Sequence, residues 1–211
     1  AAMAIPIIIS QNYIIKSSFD LNKISSISKV KELKKEKFFK ITSFDVDQDS
    51  SLPYVTARTS GRNNDNLNFY LYLACPFENT SSIWYGVVYK KNVSNRINEQ
   101  RKNSEYRTFI DKSEKEFKTY DFQDVEYFER LGYSDDRDGY IEALKEKNEN
   151  INEKEQIILI PKTDVFEERH GNSFPWIFGS FGIGALVLLA MILIPKIDEK
   201  ELKDFRQNKP L

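Results

Sequence analysis

"LNFYLYLACPFENTSSIWYGVVYK", residues 67–90, decides how the chain folds. Leu67, Phe69, Leu71 and Leu73 alternate with Asn68, Tyr70 and Tyr72. Further on, Ile83, Tyr85 and Val87 alternate with Trp84, Gly86 and Val88. Successive side chains leave a strand on opposite faces, so a period of two carried by aromatic and β-branched residues marks a pair of β-strands. The link "CPFENTS" (75–81) is turn-forming. Strands joined so briefly pair antiparallel.

Outward from this pair the same chemistry recurs. "FFKITSFDV" (38–46) and "YVTART" (54–59) read as strands, set off by the turn-like "DQDSSLP" (47–53) and "SGRNNDN" (60–66). "QIILIP" (156–161) reads as a short apolar strand that returns to the sheet. Helices are expected at 28–37, from Val30 and Leu33, and across the polar stretch 93–120, with Ile97, Tyr106, Phe109 and Ile110 turned inward. "DFQDVEYFERLG" (121–132) places Phe122, Val125, Phe128 and Leu131 three or four apart, which predicts a helix stopped by Gly132. "SDDRDGYIEALKEK" (134–147) predicts a helix capped by Ser134 with acids in its first turn. Residues 28–162 thus form an α+β domain around an antiparallel sheet of about four or five strands.

"FPWIFGSFGIGALVLLAMILIP" (174–195) has a different purpose. Crossing a hydrocarbon core of about 30 Å takes roughly 20 apolar residues at 1.5 Å each, and this stretch holds no charge. It reads as a C-terminal transmembrane helix, with Trp176 at the interface and Pro175 in the first turn. Gly179, Ser180, Gly182 and Gly184 leave part of it slim, and Ser180 with Gly184 is a small-xxx-small pair suited to close helix packing. The first segment, residues 1–15, is apolar but too short to span. It reads as part of a second, truncated transmembrane helix, as a signal remnant ending near Ala2-Met3-Ala4, or as an apolar strand or arm.

The charged tail 196–211 carries Lys196, Lys200, Lys203, Arg206 and Lys209, which the positive-inside rule places in the cytoplasm or an organelle matrix. The domain is then extracytoplasmic, at a bacterial inner membrane or an organelle membrane. The lysines that follow the first apolar segment pull the other way. They carry less weight, because long domains translocate largely regardless of charge. Lys31, Lys34, Lys35 and Lys37, with Trp176, are candidate lipid contacts beside the bilayer.

Composition removes several functions. With 31 basic against 32 acidic residues, the chain lacks the basic surplus of a nucleic-acid binder. A lone Cys75 excludes an internal disulfide, and a lone His170 excludes a site of several imidazoles. No nucleophile elbow, Walker loop or dinucleotide fingerprint occurs, so no cofactor is called for. Calcium-loop registers fail twice. Placing Gly139 at position 6 puts Lys145 where a bidentate glutamate belongs, and Asp45, Asp47 and Asp49 lack both the glycine and the glutamate. Tyr70, Tyr72 and Trp84 are docking candidates if exposed and sheet packing otherwise.

The sequence therefore predicts a membrane-anchored, non-catalytic accessory or assembly subunit of a membrane protein complex. Its partners are the bilayer and other membrane subunits or a second copy of itself, met through the transmembrane helix and the extramembrane domain. The alternative is a regulatory or catalytic domain of a membrane-bound hydrolase-type enzyme, since paired carboxylates can work without a visible motif.

Overall fold

Alternation in residues 66–94 is realised as two long antiparallel strands, and everything else in the domain is laid against them. The computed structural model describes residues 4–193 and Lys203. It divides into two units, one from the described parts of Ala1–Ser18 and Glu168–Leu211, the other Phe19–Glu167.

In the second unit the strands are β1 (Leu21–Ile24), β2 (Phe38–Ile41), β3 (Leu52–Ser60), β4 (Asn66–Pro76), β5 (Ile83–Ser94), β6 (Tyr127–Arg130) and β7 (Ile157–Lys162). They form one sheet in the order β1-β2-β6-β7-β5-β4-β3. β3, β4 and β5 make an antiparallel meander, with Tyr72 opposite both Tyr54 and Val88, but the strand expected at 38–46 is only Phe38–Ile41 and pairs with β1 and β6 instead of joining it. The sheet is mixed rather than antiparallel, and it has seven strands. β1 pairs parallel with β2, and β5 parallel with β7, whereas β6 is antiparallel to both of its neighbours. The physical reason is connectivity: between β5 and β7 the chain makes α2, β6 and α3, a crossover long enough to bring a strand back in the same direction.

α2 (Glu99–Lys118) begins at Asn98, whose side chain accepts from the Arg101 backbone N–H. α3 (Asp135–Lys147) begins at Ser134, whose hydroxyl accepts from the Arg137 backbone N–H, as the capping pattern predicts. One apolar face of the sheet carries Phe39, Phe69, Leu71, Leu73, Cys75, Tyr85 and Phe128 and packs with Phe109 of α2. The other carries Tyr72, Ala74, Trp84 and Ile158 and packs with Tyr140, Ile141 and Leu144 of α3. Two glycines make that second layer close-fitting. A Cβ on Gly139 of α3 would overlap the Tyr72 ring, and one on Gly86 would stand 2.9 Å from Tyr140 and 2.7 Å from Ile160.

Two expected helices are replaced. Residues 28–37 give only a 3-10 turn, Ile27–Lys31, which buries Ile27 and Val30. Within 121–132 the chain forms the strand β6, whose Tyr127 and Phe128 are both buried. A strand covered on both faces has no period of two, and Phe122 and Val125 reach the core from the preceding turn, mimicking a helical stripe.

In the first unit, α1 (Ala4–Ser17) packs beside α4 (Ser173–Leu193). The described part of the N-terminal segment is therefore helical, not an extended arm. Pro175–Leu193 is the helix, among the described residues, long and apolar enough to cross a membrane, and none of it is buried. The expected cleavage site at Ala2-Met3, the end of the span at Pro195 and the charged tail 196–211, apart from Lys203, lie outside the described residues.

Candidate functional site

Where β6 ends and β5 and β7 begin, backbone segments far apart in sequence leave an open cleft of about 500 Å³. Lys31, Lys34, Arg130, Arg137 and Lys154 line it, against the single acid Glu155. In a chain of nearly balanced charge that is a strong local excess of one sign.

The two arginines are fixed by backbone carbonyls rather than by carboxylates. Arg130, the last residue of β6, donates from Nη1 to the Leu33 and Lys34 carbonyls at 2.8 and 2.6 Å, and from Nη2 to the Val30 carbonyl at 2.6 Å. Its guanidinium also lies 5.0 Å from the Phe39 ring centre. Arg130 thereby holds the segment that bears Lys31 and Lys34. Burial works against its charge, and nearby Glu36 supports it. Arg137, in the first turn of α3, donates from Nη2 to the Glu153 carbonyl at 2.7 Å and the Gln156 carbonyl at 3.0 Å. It holds the segment that bears Lys154. Arg137 is only 8% exposed, while Tyr133, whose ring centre lies 5.7 Å from its guanidinium, is 87% exposed at the cleft.

Several other cations of the domain find carboxylates, though not all: Lys23, Lys29 and Lys35, for example, form no ion pair among the described residues. Lys37 and Lys162 both reach Glu129, at 3.0 and 3.3 Å, and Lys90 reaches Asp136 at 2.8 Å. Lys145 reaches Glu153 at 2.7 Å and Glu142 at 2.8 Å. Among the described residues, none of the five cleft cations stands in an ion pair.

The residues singled out in the sequence are distributed unevenly. Lys31 and Lys34 line the cleft, Lys35 is exposed away from it, and Lys37 is committed to Glu129. Trp176 is exposed on α4. Gly179, Gly182 and Gly184 are exposed too, and a Cβ on any of them would meet nothing within 4 Å. Ser180 is half-buried and donates its hydroxyl to the Ile177 carbonyl at 2.9 Å. Tyr72 and Trp84 are core residues and Tyr70 is half-buried, stacked on Tyr72 at 5.8 Å, so this trio serves packing rather than docking.

Arg130, Arg137 and Lys154 were not legible as site residues. One signal existed: a cation in the first turn of a helix opposes the helix dipole, and Arg137 sits there among three aspartates.

Cys75 is buried in β4, and burial pushes its thiol up to about 12. His170 belongs to the other unit, where Tyr13 lies 4.8 Å from its ring. There Lys16 Nζ donates to the Arg169 carbonyl at 3.1 Å and Arg169 Nε donates to the Lys16 carbonyl at 3.2 Å, so the C-terminal end of α1 lies at the N-terminal end of α4. Asp136 and Asp138 stand on α3 rather than in a loop, and Asp47 accepts from the Ser50 backbone N–H at 3.1 Å. Among the described residues no three His, Cys, Asp or Glu side chains converge as metal ligands.

Set against protein-family models, curated proteins and solved structures, the chain matches none.

Proposed function

We propose that the protein is a membrane-anchored, non-catalytic accessory or assembly subunit of a membrane protein complex. α4 holds it in the bilayer and, with the extramembrane domain, contacts other subunits or a second copy. The observation that carries this reading is α4 itself: Pro175–Leu193 is apolar throughout and none of it is buried by the chain. An exposed apolar surface of that extent needs lipid or protein around it. Tyr13, Lys16, Arg169, His170 and Trp176 gather where α1 ends and α4 begins, which suits the headgroup region. The domain then lies on the extracytoplasmic side and the tail in the cytoplasm, the sense favoured by the lysines after the span.

The hydrolase reading draws less support. A carboxyl acting as general acid near neutral pH has its pKa raised. Among the described residues, the carboxyls that their surroundings move, Asp47, Glu105, Glu129, Asp136 and Glu153, are all moved down.

Purification of the native protein in mild detergent, with identification of what accompanies it, tests the proposal. Stoichiometric recovery of other membrane subunits, or of a homo-oligomer, is the expected result. Recovery of the monomer alone from several detergents contradicts it.

A further inference from the structure

The cationic cleft lies outside the anchoring role of α4, and its chemistry points to a ligand. We propose that it binds a phosphate-bearing anion, with the ammonium groups of Lys31, Lys34 and Lys154 as the contacting charges. This inference does not rest on the subunit reading, since the cleft is built entirely within Phe19–Glu167.

Three observations carry it. First, five cations line the cleft with one lining carboxylate, Glu155, and none of the five forms an ion pair among the described residues, although Glu36 acts on Arg130 and Arg137 on Glu153 from nearby. Placing like charges together costs free energy unless an anion joins them, and the nearby buried Arg137 sharpens that cost. Second, the lysine-bearing segments are fixed rather than loose. Arg130 ties down 30–34 through three carbonyls, and Arg137 ties down 153–156 through two. Third, the donors left over select the ligand. Three N–H groups of Arg130 and two of Arg137 already go to carbonyls, so both guanidinium groups are partly committed to holding the backbone, although Arg130 Nε is buried without a partner. The lysines remain, as point charges suited to phosphate, and several of them together match an anion of more than one charge.

A cleft of about 500 Å³ also exceeds what a bare phosphate ion fills and falls in the range of small-molecule sites. A phosphorylated soluble compound and a phospholipid headgroup share this chemistry.

The test uses the full chain in a neutral detergent at low ionic strength, titrated calorimetrically with pyrophosphate and, separately, with dihexanoyl phosphatidylglycerol below its micellar concentration. One site per chain is expected. Lys34→Glu and Lys154→Glu, both exposed positions, should each weaken binding at least tenfold, with circular dichroism unchanged. Lys35→Glu, outside the cleft, should leave it within twofold. Tighter binding of pyrophosphate assigns the site to a soluble phosphate, and tighter binding of the lipid analogue assigns it to a headgroup. No binding of either probe overturns the proposal. So does binding that Lys35→Glu weakens as much as Lys34→Glu and Lys154→Glu.

Discussion

Gly139 and Gly184 both stand on helices, and their surroundings are opposite. Gly139 lets α3 settle directly on the Tyr72 ring, so that even a methyl group has no room. Gly184 faces open space on α4. The same residue type serves two ends: in the domain it closes a layer, and on α4 it leaves a surface available. The difference extends to the apolar side chains around them. Those of the domain are spent on each other across two faces of a sheet, whereas Phe178, Phe181, Leu186 and Leu188 of α4 are each more than half exposed. A water-facing helix with that surface is unstable as a soluble element, and a membrane reverses the sign of the effect.

The sharpest way to probe the closed region is chemical. With the Cys75 thiol held near 12, its reactive thiolate is roughly a few thousandfold scarcer than at an ordinary cysteine of pKa ~8.5. Alkylation at pH 8, followed by mass spectrometry, should be slow in the native chain and rapid in guanidinium. Rapid native labelling would mean that the sheet opens far more readily than its packing implies.

Gly139→Ala forces a methyl group against Tyr72, and should destabilise the domain by about 1–3 kcal/mol. Urea denaturation checks it, and an unchanged midpoint would break the contrast with Gly184. Glu129 gives a smaller effect. Burial pushes its carboxyl up, but Lys162 and Lys37 outweigh burial and hold it below the usual range. A carboxyl lowered in the folded state contributes stability above the unfolded value of ~4.3, and that stability is lost as pH falls through the folded value. Glu129→Gln should cost about 1 kcal/mol at neutral pH and flatten the acid limb of the stability profile. An acid limb identical to that of the unaltered chain would contradict this.

The smallest effect on folding belongs to the open region. Gly184→Leu should move the domain's unfolding midpoint by less than about 0.5 kcal/mol, yet reduce the yield of co-purifying subunits several-fold. Unaltered co-purification would leave α4 an anchor without a packing role.

What the sequence discloses follows the same division. The meander β3–β4–β5 was readable because each strand keeps one periodicity along its length, and α3 because Ser134 and its acids announce a helix start. α4 was readable from length and polarity alone. β6 was not, since a four-residue strand buried on both sides carries no alternation. The parallel pairing of β5 with β7 was invisible for another reason: register across some seventy residues is set by packing of α2 and α3, not by any local pattern. The cleft was half legible. Lys31 and Lys34 stood out as a basic run, but their meeting with Lys154 depends on two arginines that bind backbone carbonyls, a partner that no side-chain pattern betrays.

Every role proposed for α4 requires that it reside in a bilayer. Washing membranes from cells that express the full chain with alkaline carbonate, then blotting pellet and supernatant, measures this directly. With α4 in the bilayer, the protein stays in the pellet, as an integral membrane protein does. Release into the supernatant would contradict it.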